Sequence, residues 1–230
     1  MNPHEGYRQD LLAAIESLDP RSLLDVGCGD GGLLREMLDR GRTCVGVEIE
    51  EEHVNTLKES GFEAMLCRAD HLGVPDRSFD VVVFEYSLHH VDNIERALLE
   101  AARVARRAVL VLDPWFDLSI PSQRIAHEFD LWLKTLDRRV GMIHWPSVSA
   151  EQLAKPFRVL GSFRIDCRYR LTPLAISLER MLEHARDQLA KVRNPFEREL
   201  ALEAIVDRAR LDGISEDGAI LFSAVRAGDL

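Results

Sequence analysis

Between residues 25 and 48 the chain sets an acid, a run of glycines and a second acid at a spacing suited to gripping a nucleoside. Asp25 interrupts the apolar run Leu23-Leu24-Asp25-Val26, which is too short for a helix and reads as a central strand. Gly27-Cys28-Gly29-Asp30-Gly31-Gly32 follows without a gap, and glycines there permit positive φ and close backbone approach to a ligand. Leu33, Leu34, Met37 and Leu38 then fall at helical spacing until Gly41, and a second strand, Thr43 to Val47, ends at Glu48. Gly27, Gly29 and Gly32 satisfy the dinucleotide pattern G-x-G-x-x-G, with Glu48 about where an acid would hold a ribose, so an NAD-linked oxidoreductase is one reading. The acids weigh against it. A pyrophosphate wants unopposed N–H groups and the positive end of a helix dipole, whereas Asp25 and Asp30 flank this loop and would repel it in a partly desolvated site. A cationic nucleoside fits better.

S-adenosylmethionine (SAM) is such a ligand: it carries an ammonium and a sulfonium, and needs a ribose clamp but no phosphate cradle. With Asp25 at a strand end, Gly27, Gly29 and Gly31 in the loop and Glu48 on the second strand, the chain resembles the class I SAM-dependent methyltransferases of small-molecule, methyltransferase-11-like type. Residues 67–80 (Cys67-Arg68-Ala69-Asp70-His71-Leu72-Gly73-Val74-Pro75-Asp76-Arg77-Ser78-Phe79-Asp80) are similar to that family's G-D-A-x-x-L-P-x-x-x-x-S-F-D signature, and Leu88-His89-His90-Val91 matches its L-H-H-V. The resemblance covers residues 22–113 well. It implies SAM as cofactor, S-adenosylhomocysteine (SAH) as product, and a cofactor site made of Asp25, Gly27, Cys28, Gly29, Gly31, Glu48, Ile49, Arg68, Ala69, Asp70 and Glu85. Where the family has an aspartate on the adenine amino group this chain has Arg68, with Asp70 two positions later; the backbone of Ala69, with Leu72 and Ile49 on the ring faces, is the alternative contact. Arg68 also keeps open a third reading, a non-catalytic protein of this fold acting through a partner. The implied fold is α/β: a Rossmann-like, doubly wound, mostly parallel sheet of about seven strands with the last strand antiparallel, plus helical lid insertions.

In-line displacement of a methyl group asks mainly for positioning, since a held geometry is worth effective molarities of about 10⁵ M or more. A hydroxyl acceptor also needs proton removal, for which His89 is the first candidate and His144 and His127 the reserve; His90 is read as packing or capping the next helix. An amine, carbon or thiolate acceptor needs no base. All three tryptophans, Trp115, Trp132 and Trp145, fall in residues 115–156. One reading is an aromatic-walled substrate pocket completed by Tyr86 and by Tyr7, with Arg8, from the leading helix. The other is that an inserted helix needs large side chains to anchor it.

The elements that must position these groups follow from periodicity. Residues 1–20 carry an amphipathic helix, with Tyr7, Leu11, Leu12, Ile15 and Leu18 on one side, over one face of the sheet. Residues 22–113 form the cofactor core, with strands at Phe62–Leu66, Val81–Phe84 and Ala108–Leu112 and a helix that Asp92 caps. Residues 115–156 read as a helical lid whose second helix is capped near Ser149 with Glu151, Phe157–Leu171 as one alternating strand with a charged wet face, and 173–212 as a helical pair broken at Asn194-Pro195 before the final strand, Ala219–Val225. That pair is expected to serve as a second lid or as the surface of a homodimer.

At 230 residues the chain can bury one good core, so a single domain with insertions is expected. A net charge of −10 disfavours nucleic acid, because phosphate contacts need a positive face. The N/D-P-P-Y/F motif of amino-directed DNA methylases is missing after the fourth strand; Asp113-Pro114-Trp115 comes one strand late and lacks the second proline. No apolar run reaches membrane-spanning length and Met1-Asn2-Pro3-His4-Glu5 lacks the marks of a signal peptide, so the expected setting is the cytoplasm, with a small molecule as partner and no membrane. Cys28, Cys44, Cys67 and Cys167 show no C-x-x-C spacing, so neither a metal site nor a disulfide framework is expected.

Overall fold

Strands that are apolar throughout must be covered on both sides, and alternating them with amphipathic helices yields a parallel sheet between two helical layers. The computed structural model describes residues 3–193 and 196–228, with backbone alone for residues 3, 196 and 197; the expected break at Asn194-Pro195 lies outside the described residues. In chain order the elements are α1 (Pro3–Leu18), β1 (Ser22–Val26), α2 (Gly32–Asp39), β2 (Thr43–Glu48), α3 (Glu51–Glu59), β3 (Glu63–Leu66), β4 (Phe79–Glu85), a 3₁₀ turn (Leu88–His90), α4 (Ile94–Val104), β5 (Ala105–Trp115), α5 (Pro121–Arg139), α6 (Ala150–Leu160), β6 (Phe163–Arg170), α7 (Leu178–Leu189), α8 (Phe196–Asp212) and β7 (Gly218–Arg226). The seven strands lie in the order β3-β2-β1-β4-β5-β7-β6. β1 to β5 are parallel, and β7 runs antiparallel to both β5 and β6. The fold is the expected Rossmann-like one.

Successive residues of the same strand serve opposite faces. Leu23, Val81, Val83, Leu110 and Leu112 meet Leu11 and Ile15 of α1, Leu33, Leu34 and Met37 of α2 and Val54 and Leu57 of α3. Leu24, Val82, Phe84, Val109 and Val111 meet Ala97, Leu98 and Ala101 of α4 and Leu153 and Phe157 of α6. A third apolar cluster stands apart from the sheet, where α5, α7 and α8 bury Phe129, Trp132, Leu136, Met181, Ile205 and Val206 against one another.

Several expected boundaries move. The strand read from Phe157 starts only at Phe163: a capping box at Ser149 and Gln152, rather than Glu151, launches α6, which runs to Leu160 and ends at Gly161 with φ 67°. Asn93, not Asp92, caps α4, accepting from Arg96 N at 3.0 Å. The second helical pair begins at Leu178 instead of Pro173, because Ala175 is bridged to Ser215. Residues 115–156 divide between two layers, with α5 joining α7 and α8 while α6 covers the sheet beside α4. The apolar sides of α7 and α8 are buried against α5.

Candidate functional site

In an open α/β sheet the ligand crevice forms at the carboxyl ends of the strands where the strand order reverses, because the loops there diverge. That point lies between β1 and β4. The loop after β1 brings Gly27 and Gly29, the end of β2 brings Glu48 and Ile49, the loop after β3 brings Arg68, Ala69 and Asp70, and β4 delivers Tyr86 and Ser87; together they wall a cavity of about 350 Å³. A volume of this size suits a nucleoside-sized ligand. Eight residues expected from sequence therefore meet in one place: Gly27, Gly29, Glu48, Ile49, Arg68, Ala69, Asp70 and Tyr86.

The loop is shaped by hydrogen bonds that begin and end on these same residues. Gly27 N donates to Val47 O at 2.8 Å, tying β1's exit to β2, and Gly29 N donates to Glu48 Oε1 at 2.7 Å. Glu48 Oε2 accepts from Ile49 N at 3.2 Å, so the carboxylate is held face-on to the cleft with lone pairs left for a ribose diol. Gly27 has φ 74° and no room for a side chain: a Cβ would stand 2.5 Å from Ser87 Cβ. At Gly29, φ 54°, a Cβ would meet nothing within 4 Å and would project into open space, which is what a backbone kept bare for a ligand looks like.

At the root of this loop Asp25 is 2% exposed, and its Oδ1 has no hydrogen-bond partner among the described residues. Burial, then the neighbouring Glu85 and Glu48, push its carboxyl well above the usual range. A buried acid with an unsatisfied oxygen that ionises only beside a cation suits an ammonium or sulfonium, and the Glu48 carboxylate at the mouth repels a diphosphate. SAM fits the residues present: Glu48 would hold the ribose, exposed Ile49 a ring face and the Ala69–Asp70 backbone the adenine edge, with Asp25 buried behind the Gly27 turn outside the cavity wall.

Other expected site residues fall elsewhere, for physical reasons. The Cys28 thiol is buried under β2, where a Cβ on Gly46 would touch its sulfur at 2.5 Å, and burial pushes it up to about 12, so it offers the cleft no reactive group. Gly31 is kept small by Leu57 and Phe62, on the α3 side of the loop. Glu85 is held by Arg8 Nε at 2.8 Å. Leu72 is wholly buried beneath the sheet face and cannot reach a ring in the cavity. Tyr7 is not a lid residue: it is 1% exposed, its hydroxyl donates to Asp217 O and accepts from Thr172 N, and its ring borders a separate trough of about 890 Å³ between α1 and the β7–β6 end of the sheet. That larger trough contains none of the expected cofactor residues. Trp132 stacks on Phe129 at 5.6 Å in the helical cluster and donates its indole N–H to Arg198 O; Trp115 packs on Tyr169 at 4.7 Å; His127 packs on Phe116 at 5.2 Å. These three anchor helices and strand ends instead of walling the cofactor cavity. Trp145 is 40% exposed, its N donating to His89 O and Arg138 lying over its ring.

The histidines exchange the roles expected of them. His89 is the buried one, its Nδ1 donating to Asp113 Oδ1 at 2.7 Å, whereas His90 lines the cavity and donates through Nδ1 to Ile143 O at 2.7 Å. His144 packs against both at a tilt, with ring centroids 5.1 Å and 4.3 Å away, and donates through Nδ1 to Asp137 Oδ2 at 2.7 Å. Burial lowers His90 below the usual imidazole range and lowers His144 to about 4 against the opposing pull of Asp137, which makes His144 a weak base at neutral pH. His90, Ser87, Val91 and Asp92 were within reach of the sequence, since they continue the stretch after β4; His53, at the start of α3, and Ile143, more than fifty residues beyond β4, gave no such signal.

Known proteins agree with this geometry. Residues 24–112 match the family model described as a methyltransferase domain. The methyltransferase YcgJ of Bacillus subtilis is 28% identical over 64% of this chain and 63% of its own length, and the 27-O-demethylrifamycin SV methyltransferase of Amycolatopsis mediterranei is 31% identical over 46% of this chain and 47% of its own. A solved SAM-dependent methyltransferase from Archaeoglobus fulgidus shares the fold with TM-score 0.60 at 18% identity, over 97% of this chain and 94% of that one. Among the first curated relatives the matched part spans from 22% to 63% of their length. Sequence, fold and cleft converge: residues 24–112 resemble a methyltransferase domain, and the chain has the fold of the SAM-dependent methyltransferases.

Proposed function

We propose that this chain moves a methyl group from SAM to a small-molecule acceptor by in-line displacement, and that it does so in the cytoplasm. Bound SAM supplies an electrophilic methyl on a sulfonium. The observation that carries the reading is the negative cleft itself: a buried Asp25 with a free oxygen behind the Gly27 turn and a Glu48 carboxylate fixed by two backbone N–H groups at its mouth. Glu48 holds the ribose, the buried Asp25 favours the cationic end of the donor, and the acceptor enters from the side of Tyr86, His90 and Ile143. Tyr86 adopts φ 51° there, a conformation costly for a side chain of that size, so the end of β4 is held in a fixed and strained shape beside the reacting centre. A small acceptor is supported by the rifamycin-directed relative, whose own substrate is a small molecule by name, and by the net charge of −10.

Thermal shift with SAH and with NADH tests this. At about 100 times its Kd, SAH adds roughly 2.7 kcal/mol, which for a chain of this size raises Tm by about 5–10 °C. A shift with NADH and none with SAH would overturn the assignment.

A further inference from the structure

Three imidazoles in contact beside a ligand cavity are unusual, because each ring gives up water to its neighbours without gaining a charge partner from them; here His89 is buried, His144 half-buried and His90 exposed at the cavity. His89, His90 and His144 are such a set: one ring nitrogen of each lies within 4.8 Å of those of the other two. The Nδ1 atom of every ring is already committed to an oxygen at 2.7 Å, on Asp113, Ile143 and Asp137 respectively. This fixes all three in the Nδ1–H tautomer and leaves Nε2 as the lone-pair atom of each. A metal-bound histidine is oriented in the same way, with its second nitrogen donating to a carboxylate or a carbonyl. Asp113 is fully buried, its Oδ2 has no partner among the described residues, and His89 is the group it holds. A neutral imidazole gives that carboxylate little compensation, whereas a cation on the far side of the ring would give much more. The buried Lys134 does not fill the role, since it is paired with Asp130 at 2.8 Å.

We infer that His89, His90 and His144 bind a single divalent transition-metal ion of the zinc class, with Asp113, Asp137 and the Ile143 carbonyl orienting them and a fourth coordination position open toward the cavity that His90 lines. A three-histidine set with an open position is the ligand pattern of a catalytic rather than a structural zinc. Tetrahedral geometry with bonds of about 2.0–2.1 Å places the nitrogens roughly 3.3 Å apart. The contraction this requires falls on His90, at the cavity surface, and on His144, which sits on the irregular segment between α5 and α6. Resting on the methyl-transfer reading, the inference also selects an acceptor class, a hydroxyl or thiol. On the ion the acceptor O–H or S–H gives up its proton to solvent, its lone pair forms the new bond to the methyl carbon, and the C–S bond breaks with its electrons passing to sulfur as a neutral thioether.

The test is a Zn²⁺ and Co²⁺ titration of the metal-depleted full chain. Expected are one ion per chain and, with Co²⁺, the strong visible absorption of a tetrahedral site. Replacing His90 or His144 by Ala should weaken Zn²⁺ binding on the order of 100-fold, and Asp137→Asn by about 10- to 100-fold. His184→Ala, on the exposed side of α7, should leave it unchanged. Adding 2-mercaptoethanol to the Co²⁺ form should produce a sulfur-to-cobalt charge-transfer band, because the fourth position is open. SAH should bind wild type and His184→Ala alike, with circular dichroism confirming that each variant is folded. Zn²⁺ affinity that is equal in wild type, His90→Ala and His144→Ala, or a Co²⁺ form without tetrahedral absorption, overturns the metal site; no thiol band overturns the open position. Loss of SAH binding in wild type alone would instead remove the methyl-transfer reading and leave the metal result standing.

Discussion

Ionising Asp25 inside the fold costs free energy that a bound cation offsets, and this sets opposite signs for stability and binding. Its native pKa lies above the unfolded value of 3.8, so the protonated form is favoured by folding. The folded state therefore loses stability, relative to acid, as pH rises from 3.8 through the raised native value. Asp25→Asn is expected to raise the Tm of the ligand-free protein at pH 7, with the gain shrinking as pH is lowered toward 4, while SAH affinity falls; differential scanning fluorimetry across pH, beside calorimetry with SAH, reads both. Glu48 acts differently, because its carboxylate is solvated at the cleft mouth and already accepts two N–H groups. Glu48→Gln should cost SAH binding about 1.5–3 kcal/mol, roughly ten- to a hundredfold in Kd, with little change in Tm. A drop in stability without a drop in affinity would contradict the ribose assignment.

At the scale of elements, the glycine loop and the start of α4 show that residues next to each other in sequence can be needed for different reasons. Gly27→Ala drives a Cβ into Ser87, whose own hydroxyl is fixed on Val26 O at 2.5 Å, and is expected to destabilise the protein by more than about 3 kcal/mol. Gly29→Ala meets no neighbour, so its cost is the backbone conformation alone, about 1–2 kcal/mol, yet it fills the cleft and should abolish detectable SAH binding. Urea denaturation and calorimetry on the two variants separate fold from function. Along the same lines, Asn93→Ala should cost about 1 kcal/mol through loss of the α4 cap, and Asp92→Ala nearly nothing. A larger effect at Asp92 would mean that the helix begins one residue earlier than the structure has it.

Over the whole molecule, the helical cluster of α5, α7 and α8 has its own core and reaches the histidines beside the cofactor cleft by way of Asp137 on α5. Trp132→Ala should therefore remove about 3–5 kcal/mol from folding while leaving SAH affinity of the folded fraction within about twofold of wild type. Among the described residues no helix is long and apolar enough to cross a membrane. By itself the sequence determined the sheet, the glycine loop and Glu48, because a buried strand, a positive-φ turn and a strand-end acid each leave a local pattern of residue types. It also carried the alternation of β6 but placed its start six residues early, since Phe157 and Val159 of α6 happen to extend a period of two. Only the tertiary structure decided which histidine faces the cleft, that Tyr7 and Trp132 are core, and that His144 joins His89 and His90 from a segment more than fifty residues away. These are contacts between distant parts of the chain, set by how layers pack, and a pattern read along one strand or helix holds no term for them.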